Sequence, residues 1–331
     1  MKKRPERVLH GGKKRFLEMK HGTKYIDFSA SLNPFPPHIE WSLDEAVLES
    51  YPDDSYSILK EEIGRVFQRE VDEITVGNGS IELIRSFCFS VLQEGDRVLV
   101  QDPTFGEYRY STELAGGVCV AGPERLRARF LCNPNNPTGH LLTKDQVREI
   151  LESLPVEGAY LFVDEAFIEL SDPVQSMVDI RDERLLVARS LTKSFAVPGI
   201  RFGFGFGIPE LVEGMEAYRL PWSVNAHAEA FALQAFHNYH LLEVSRIAIS
   251  KERSWLQTRC RDIGIPYEPS EANFLLLHLP LPAKHIWHRL LTRGVIVRDC
   301  SSFGLPSAIR IAVRTHEENS MLMEALEECL P

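Results

Sequence analysis

The chain has no C-x-x-C pair, and none of its six cysteines (Cys88, Cys119, Cys132, Cys260, Cys300, Cys329) has a histidine at ligand spacing. That scatter supplies neither a disulfide framework nor a zinc site, and it reads as reduced, mostly buried thiols. No apolar run approaches the length of a membrane span. The basic stretch Met1 to Lys20 also lacks the apolar centre of a signal peptide. Positive charge is in deficit as well: 37 Lys and Arg against 47 Asp and Glu give a formal net charge of -10. Such a balance argues against non-specific binding to nucleic acid or to acidic membrane surfaces. It leaves room for a phosphorylated ligand in a local basic pocket. The expectation is a soluble, cytoplasmic protein without a metal site.

What the chain does have is 331 residues, long for one domain and short for three, with 44% hydrophobic residues to build a core. Its most informative stretch runs from Arg189 to Gly203. An apolar run, Leu185 to Ala188, reads as a buried strand. Two hydroxyls, a lysine and an arginine then crowd a turn-rich segment: Ser190, Thr192, Lys193 and Arg201, with Pro198-Gly199 between. A lysine at a strand end becomes a nucleophile when burial or nearby cations lower its pKa, and its commonest covalent role is a Schiff base with a carbonyl cofactor. Ser190, Thr192 and Arg201 suit an anionic group, which Arg201 can bind bidentately. A solvated loop lysine is the plainer reading of S-x-T-K alone, and the Pro-Gly-x-Arg sequel weighs against it.

This segment resembles the pyridoxal-phosphate lysine segment of the fold-type-I aminotransferase superfamily, within it the histidinol-phosphate aminotransferase and threonine-phosphate decarboxylase group. The resemblance extends along nearly the whole chain. It implies an aspartate aminotransferase-like α/β fold with Lys193 as the cofactor lysine. The start, His10-Gly11-Gly12 followed by Asp27-Phe28-Ser29-Ala30-Ser31-Leu32-Asn33-Pro34, resembles the amino-terminal signature of the decarboxylases; histidinol-phosphate aminotransferases more often carry Leu-x-x-Asn-Glu-Asn-Pro. Since this arm lies over the substrate in the family, His10, Ser31 and Asn33 are implied substrate contacts. Tyr56, equally an exposed turn tyrosine by spacing, is implied to cross a dimer interface to the partner's cofactor phosphate.

Gly77-Asn78-Gly79-Ser80 turns a strand (Ile74 to Val76) into a helix (Ile81 to Leu92), and small residues there free backbone N–H groups for an anion. The resemblance makes Gly79, Ser80 and the Ile81 amide a phosphate cup. Phe105 and Tyr108, after the strand Arg97 to Gln101, both suit core packing; the resemblance selects Phe105 to stack on the pyridine ring. In Asn133-Pro134-Asn135-Asn136-Pro137-Thr138-Gly139, a turn on any reading, Asn136 is implied to bind the cofactor's phenolic oxygen. Asp164 ends the strand from Tyr160, where open α/β sheets build their sites. A carboxylate there would keep the pyridine nitrogen protonated. Phe167 stands where histidinol-phosphate aminotransferases usually have a tyrosine that donates to the phenolic oxygen, and phenylalanine cannot donate. Leu220-Pro221-Trp222-Ser223-Val224-Asn225 again resembles the decarboxylases. Arg298 and Arg310 resemble the pair that reads the substrate's two anionic ends. Phe202 to Gly207 contains G-x-G-x-G, but without the helix pattern that a dinucleotide fingerprint requires.

Strands and helices alternate through residue 207, predicting an α/β unit with a mostly parallel sheet and a smaller α+β unit. The expected division is 35–225 for the large, cofactor-binding domain, with 1–34 and 226–331 for the small one. Further helices are expected at Leu43 to Glu49, Ile58 to Glu70, Lys144 to Leu154, His227 to Arg261 (broken once), Ala283 to Thr292 and Glu317 to Cys329. The first functional expectation is decarboxylation of O-phospho-L-threonine, or a close phosphorylated amino acid, in cobamide assembly. The second is transamination of histidinol phosphate with 2-oxoglutarate. A binding protein without activity is disfavoured by the joint presence of Lys193, Asp164, Asn136 and Arg201. A homodimer with shared active sites is implied.

Overall fold

The computed structural model describes residues 5–43, 49–155 and 158–330. The helix expected from Leu43 falls on residues 44–48, outside the described residues.

Helix α1 (Lys14–His21) and the two-residue strand β1 (Ile26–Asp27) form an amino-terminal arm. There follow α2 (Ser57–Phe67), β2 (Ile74–Gly77), α3 (Ser80–Val91), β3 (Arg97–Val100), α4 (Glu107–Leu114), β4 (Val118–Val120), β5 (Leu126–Cys132), α5 (Lys144–Glu152) and β6 (Tyr160–Asp164). Next are β7 (Leu185–Ser190), the single turn α6 (Leu191–Ser194), β8 (Gly203–Phe206), α7 (Pro209–Glu216), α8 (Ala226–His237) and α9 (Leu242–Asp262). The chain ends in β9 (Phe274–His278), α10 (Ala283–Thr292), β10 (Val295–Ile296), β11 (Arg298–Asp299), β12 (Ala308–Ala312) and α11 (His316–Cys329).

Seven strands make the main sheet in the order β2-β8-β7-β6-β5-β3-β4. Strands β3 to β7 are mutually parallel where they pair, and β8 runs antiparallel to both β7 and β2. The sheet is thus mixed and mostly parallel, as its sequence pattern predicts. Strands β6 and β7 are buried along nearly their whole length, which is why they read as unbroken apolar runs. The glycine alternation in β8 has a packing cause. A Cβ on Gly203 would lie 2.3 Å from the Ser80 amide nitrogen, so only glycine lets the start of α3 rest on this strand.

The second unit holds β11-β12-β9, an antiparallel sheet, with α9, α10 and α11 around it. The arm joins it: β1 pairs in parallel with β10, and Phe28 sits in the same core as Leu275 and Ile309. The long helical stretch after His227 is broken once, at residues 239–241. Helix α8 buries Ala228, Phe231 and Phe236 against Tyr56, Phe204 and Phe206 of the large unit. We therefore propose that the small domain begins after α8 rather than at residue 226.

Two strand ends at the site are tied from below. Arg189, buried, donates to Glu165 at 3.1 Å, to Glu169 at 2.8 Å and to Ser176 at 2.6 Å. Ser176 Oγ and the Met177 amide complete the Glu165 carboxylate, at 2.6 and 2.7 Å. Breaking a buried ion pair from one side strands the other charge. Arg189→Leu is expected to lower unfolding stability by about 3–5 kcal/mol, read as a fall in the urea midpoint of the cofactor-free protein.

Candidate active site

The carboxyl ends of β5, β6 and β7 open onto a cavity of about 740 Å³, walled on its other side by the arm and by β11 and β12. Ligand sites in α/β sheets form at such strand ends. Lys193 lies in α6, directly after β7, where the chain leaves the sheet. Its amine is pushed down to about 8 by burial first and then by the charges of Arg310 and Arg201, with Asp164 pulling the other way. Its Nζ stands 5.9 Å from the Phe167 ring centre. An amine with that pKa is substantially neutral just above physiological pH, as a nucleophile or base must be.

Asp164 is buried at the end of β6. It accepts a hydrogen bond from the Tyr108 hydroxyl at 2.7 Å and another from the Ala166 amide at 3.0 Å. Burial raises its pKa, against the lowering effect of these two bonds and of Lys193. Phe105 also lines the cavity, its ring edge-on to Tyr108 at 5.6 Å. Arg310 is buried and donates to Asn136 Oδ1 and, at 3.0 Å, to the Ser29 carbonyl, while its Nε has no partner among the described residues. With Oδ1 so occupied, the Asn136 amide nitrogen is left to donate. Arg298 reaches the Leu9 carbonyl at 2.6 Å and Ser302 at 2.7 Å, tying β11 to the arm.

An anion cup stands at the far end. Gly79 caps α3 with φ of 79°, and a Cβ there would lie 2.2 Å from the Arg201 guanidinium. Only glycine lets Arg201 lie across the start of α3, whose Ser80 and Ile81 amides are first-turn donors with no carbonyl one turn back to take them. Thr192 Oγ1, buried in the wall of the same cavity, has no partner among the described residues. An unpaired buried hydroxyl is costly unless a ligand completes it.

The cavity wall therefore gathers His10, Ser31, Ser80, Ile81, Phe105, Asn136, Asp164, Ser190, Thr192, Lys193, Arg201, Arg298 and Arg310 from positions far apart in the chain. His10 sits 2.9 Å from Glu107, and the Ser31 hydroxyl is buried without a partner among the described residues. Two expected residues lie elsewhere. Asn33 faces the back of the lysine turn: its amide nitrogen donates to the Ser194 carbonyl at 2.7 Å, and its N–H to the Lys193 carbonyl at 3.0 Å. It anchors the arm to α6 rather than meeting substrate. Tyr56 is wholly buried in its own chain, its hydroxyl bonded to the Val224 backbone at 3.1 and 3.3 Å. It cannot reach across an interface without leaving that core. Tyr51, five residues earlier, is 80% exposed and stacks on Trp222 with ring centres 4.4 Å apart. Residues that sequence reasoning passed over are Tyr108, as the partner of Asp164, and Lys14, Arg15 and Arg314, which also line the cavity. The basic character of the arm hinted at Lys14 and Arg15, and no sequence signal marked Arg314.

A lysine of lowered pKa facing a buried carboxylate, with an anion cup on the same sheet, defines a pyridoxal-phosphate enzyme of fold type I. The family described as Aminotransferase class I and II matches residues 42–326, and the chain belongs to it. A histidinol-phosphate aminotransferase from Symbiobacterium thermophilum is 34% identical over 86% of this chain and 84% of its own. A provisionally named threonine-phosphate decarboxylase from Caldanaerobacter subterraneus subsp. tengcongensis is 32% identical over 92% of each chain. The structure of histidinol-phosphate aminotransferase from Sinorhizobium meliloti, in complex with pyridoxal-5'-phosphate, shares the fold with a TM-score of 0.85 at 22% identity, covering 97% of this chain and 95% of that one. Pyridoxal 5'-phosphate is the cofactor, and the Gly79 clearance, the unpaired Thr192 hydroxyl and the Lys193–Asp164 arrangement fit it.

The lowered pKa of Lys193 has a direct test in the cofactor-free protein. Acylation of Lys193 by a small amine reagent, followed by peptide mass mapping, is expected to rise with pH to a plateau with a midpoint near 8. Surface lysines should follow a midpoint near 10.4.

Proposed function

We propose that this enzyme acts on a small phosphorylated amine or amino acid, and that its reaction is transamination of the histidinol-phosphate type. The observation that carries the substrate class is the pairing of Arg310, buried with a free Nε, with Arg298 and the arm's Lys14 and Arg15 around one cavity. Two separated cationic positions in an acidic protein suit a molecule, or a pair of alternating substrates, with two anionic ends. The reaction type follows the relatives, several of which are named histidinol-phosphate aminotransferases. They support transamination better than the decarboxylation that the amino-terminal motifs put first.

Bound pyridoxal phosphate supplies an electron sink, which lets a bond at the substrate's α-carbon break heterolytically. Ser80, the Ile81 amide, Ser190, Thr192 and Arg201 would hold its phosphate. Asp164 would hold the proton on its ring nitrogen, and Phe105 would cover its ring. Lys193 Nζ, neutral near and above pH 8, would take the proton from the substrate's α-carbon and, for transamination, would give it up to the cofactor rather than back to that carbon. Arg310 orients a substrate carboxylate and Arg298 a phosphate. The arm, tied down through Leu9 to Arg298 and through His10 to Glu107, keeps water from the reacting atoms.

Decarboxylation of O-phospho-L-threonine stands as the second reading. Phe167 favours it: buried against Phe274 at 5.0 Å, it presents no hydroxyl toward Lys193, a departure from the usual aminotransferase residue. The lining of the cavity by His10, Gly11 and Gly12 favours it too. We further propose a homodimer, with Tyr51 and Trp222 rather than Tyr56 at the contact.

Given histidinol phosphate and 2-oxoglutarate, the cofactor-loaded enzyme should transfer the amino group to give glutamate and the phosphorylated ketone of histidinol phosphate, measured as glutamate released. Release of CO2 from O-phospho-L-threonine, with no glutamate in the parallel assay, would instead establish the second reading. Absence of both products would overturn the substrate class.

A further inference from the structure

Tyr108 enters neither reading by sequence, yet it touches two groups assigned to the cofactor. It is the second residue of helix α4, and its ring is wholly buried. The ring stacks on Phe130 with centres 4.9 Å apart and planes within 9°, so the side chain has one available direction. Phe105 meets it edge-on, at 82°. The hydroxyl then falls 2.7 Å from Asp164 Oδ2.

We propose that Tyr108 is a positioning residue that acts through Asp164: its hydroxyl holds the carboxylate in the anionic form and aims it, so that the shared proton stays on the cofactor's ring nitrogen. The inference rests on cofactor binding at Lys193 and Asp164. It does not depend on which substrate or which reaction is correct.

The argument begins with a conflict. Asp164 is buried, and burial alone would drive it to hold its own proton. A carboxylic acid facing a pyridine nitrogen would leave that nitrogen neutral and the ring a poorer electron sink. Hydrogen bonds to the charged form oppose this, and Asp164 has two, one to each oxygen: the Ala166 amide at Oδ1 and Tyr108 at Oδ2. The charged or titratable groups facing the carboxylate are Tyr108, Lys193 and Cys132. Cys132 is pushed up to about 12 by burial and by Asp164, so it stays a neutral thiol. Tyr108 is itself raised well above its ordinary value by burial and by the same carboxylate, so it remains a donor throughout the working range. In the cofactor-free protein Lys193 loses its charge near pH 8. Above that pH the Tyr108 hydroxyl and the Ala166 amide are the contacts that still favour the anion.

The test is Tyr108→Phe in the full-length, cofactor-loaded enzyme, a change that removes one oxygen and keeps the stacked ring. The first readout is the pH titration of the bound cofactor's visible absorbance. Its midpoint is expected to move upward, because a ring nitrogen that shares its proton less fully withdraws less charge from the group attached to Lys193. The second is turnover on whichever substrate proves active: kcat is expected to fall about ten- to hundredfold, the worth of one hydrogen bond to a charged group, with KM nearly unchanged. Thermal unfolding of the cofactor-free variant checks the fold. Tyr108→Leu, which also deletes the ring stack, should add a loss of cofactor affinity, measured by titrating pyridoxal phosphate into the apoprotein. A Tyr108→Phe variant whose absorbance titration and kcat both match the parent would overturn the proposal. So would a variant whose kcat falls only in step with cofactor loss. If neither parent nor variant binds pyridoxal phosphate, the cofactor assignment fails instead, a result that the parent alone reveals.

Discussion

Asp164 lies opposite Ala188 in the pairing of two parallel strands, and that register places everything else at the site. The Glu165 amide donates to the Ala188 carbonyl at 2.8 Å, closing the ladder one residue beyond the carboxylate. On the other strand Arg189 turns away from the cavity and into the Glu165 and Glu169 carboxylates, while Ser190 turns toward it. Side chains alternate along a strand, so a slip of one residue would put the arginine in the cavity and the serine beneath it. The buried ion pair stabilises the native register over that alternative. It also sets where β7 ends, and so where Lys193 stands relative to Asp164.

The rest of the cavity is supplied from outside the large sheet, and the coupling runs through charge. Arg310, on β12, reaches Asn136 after β5 and the Ser29 carbonyl in the arm. Arg314 reaches the Asp27 carbonyl at 3.2 Å. Arg298 reaches Leu9. Arg310 thus holds the arm with part of its fork and keeps its Nε for the cavity, whereas Arg314 commits its remaining nitrogens to Glu318, at 3.0 and 2.8 Å. Packing fixes the end of the arm, where Tyr25 and Phe28 are buried, but helix α1 has little such hold: Phe16 and Met19 are exposed, and only Leu17 of that helix is in a core.

The parts of this arrangement legible in the sequence were those carried by short stretches. The lysine turn, the anion cup, the Asn-Pro-Thr-Gly turn and the aspartate at a strand end each occupy consecutive residues, and backbone geometry alone orients them. The long apolar strands were legible for the same reason. Helix α1 was not, because its basic surface and single buried residue leave almost no periodic apolar signal. Helix α4 was missed because its buried face, Glu107, Tyr108, Ser111 and Thr112, is largely polar. Tyr56 and Tyr51 show the limit more sharply. Both lie in one polar turn, and which of them is buried depends on Val224, 168 residues from Tyr56. Nothing local distinguishes them. Asn33 failed similarly: its motif was read as facing substrate, whereas its partners lie on the far side of α6.

Tyr108 and Phe167 together bear on how the cofactor would be tuned. In this chain the position beside Lys193 that could carry a hydroxyl is phenylalanine, packed on Phe274, and the lysine amine approaches that ring instead. No donor is available there to stabilise negative charge on the cofactor's phenolic oxygen, so that task would fall to Asn136 alone. Arg310 takes the carbonyl side of Asn136, which fixes the amide nitrogen as the donor without adding a second one. The Tyr108 hydroxyl donates to Asp164 instead, where it would favour the anion. Less stabilisation at the phenolic oxygen and more at the carboxylate would both act to keep positive charge on the ring nitrogen of a bound cofactor. That distribution would strengthen the electron sink whichever α-carbon bond breaks. The choice between losing a proton and losing CO2 would then lie with the arginines and the arm, through the substrate's orientation.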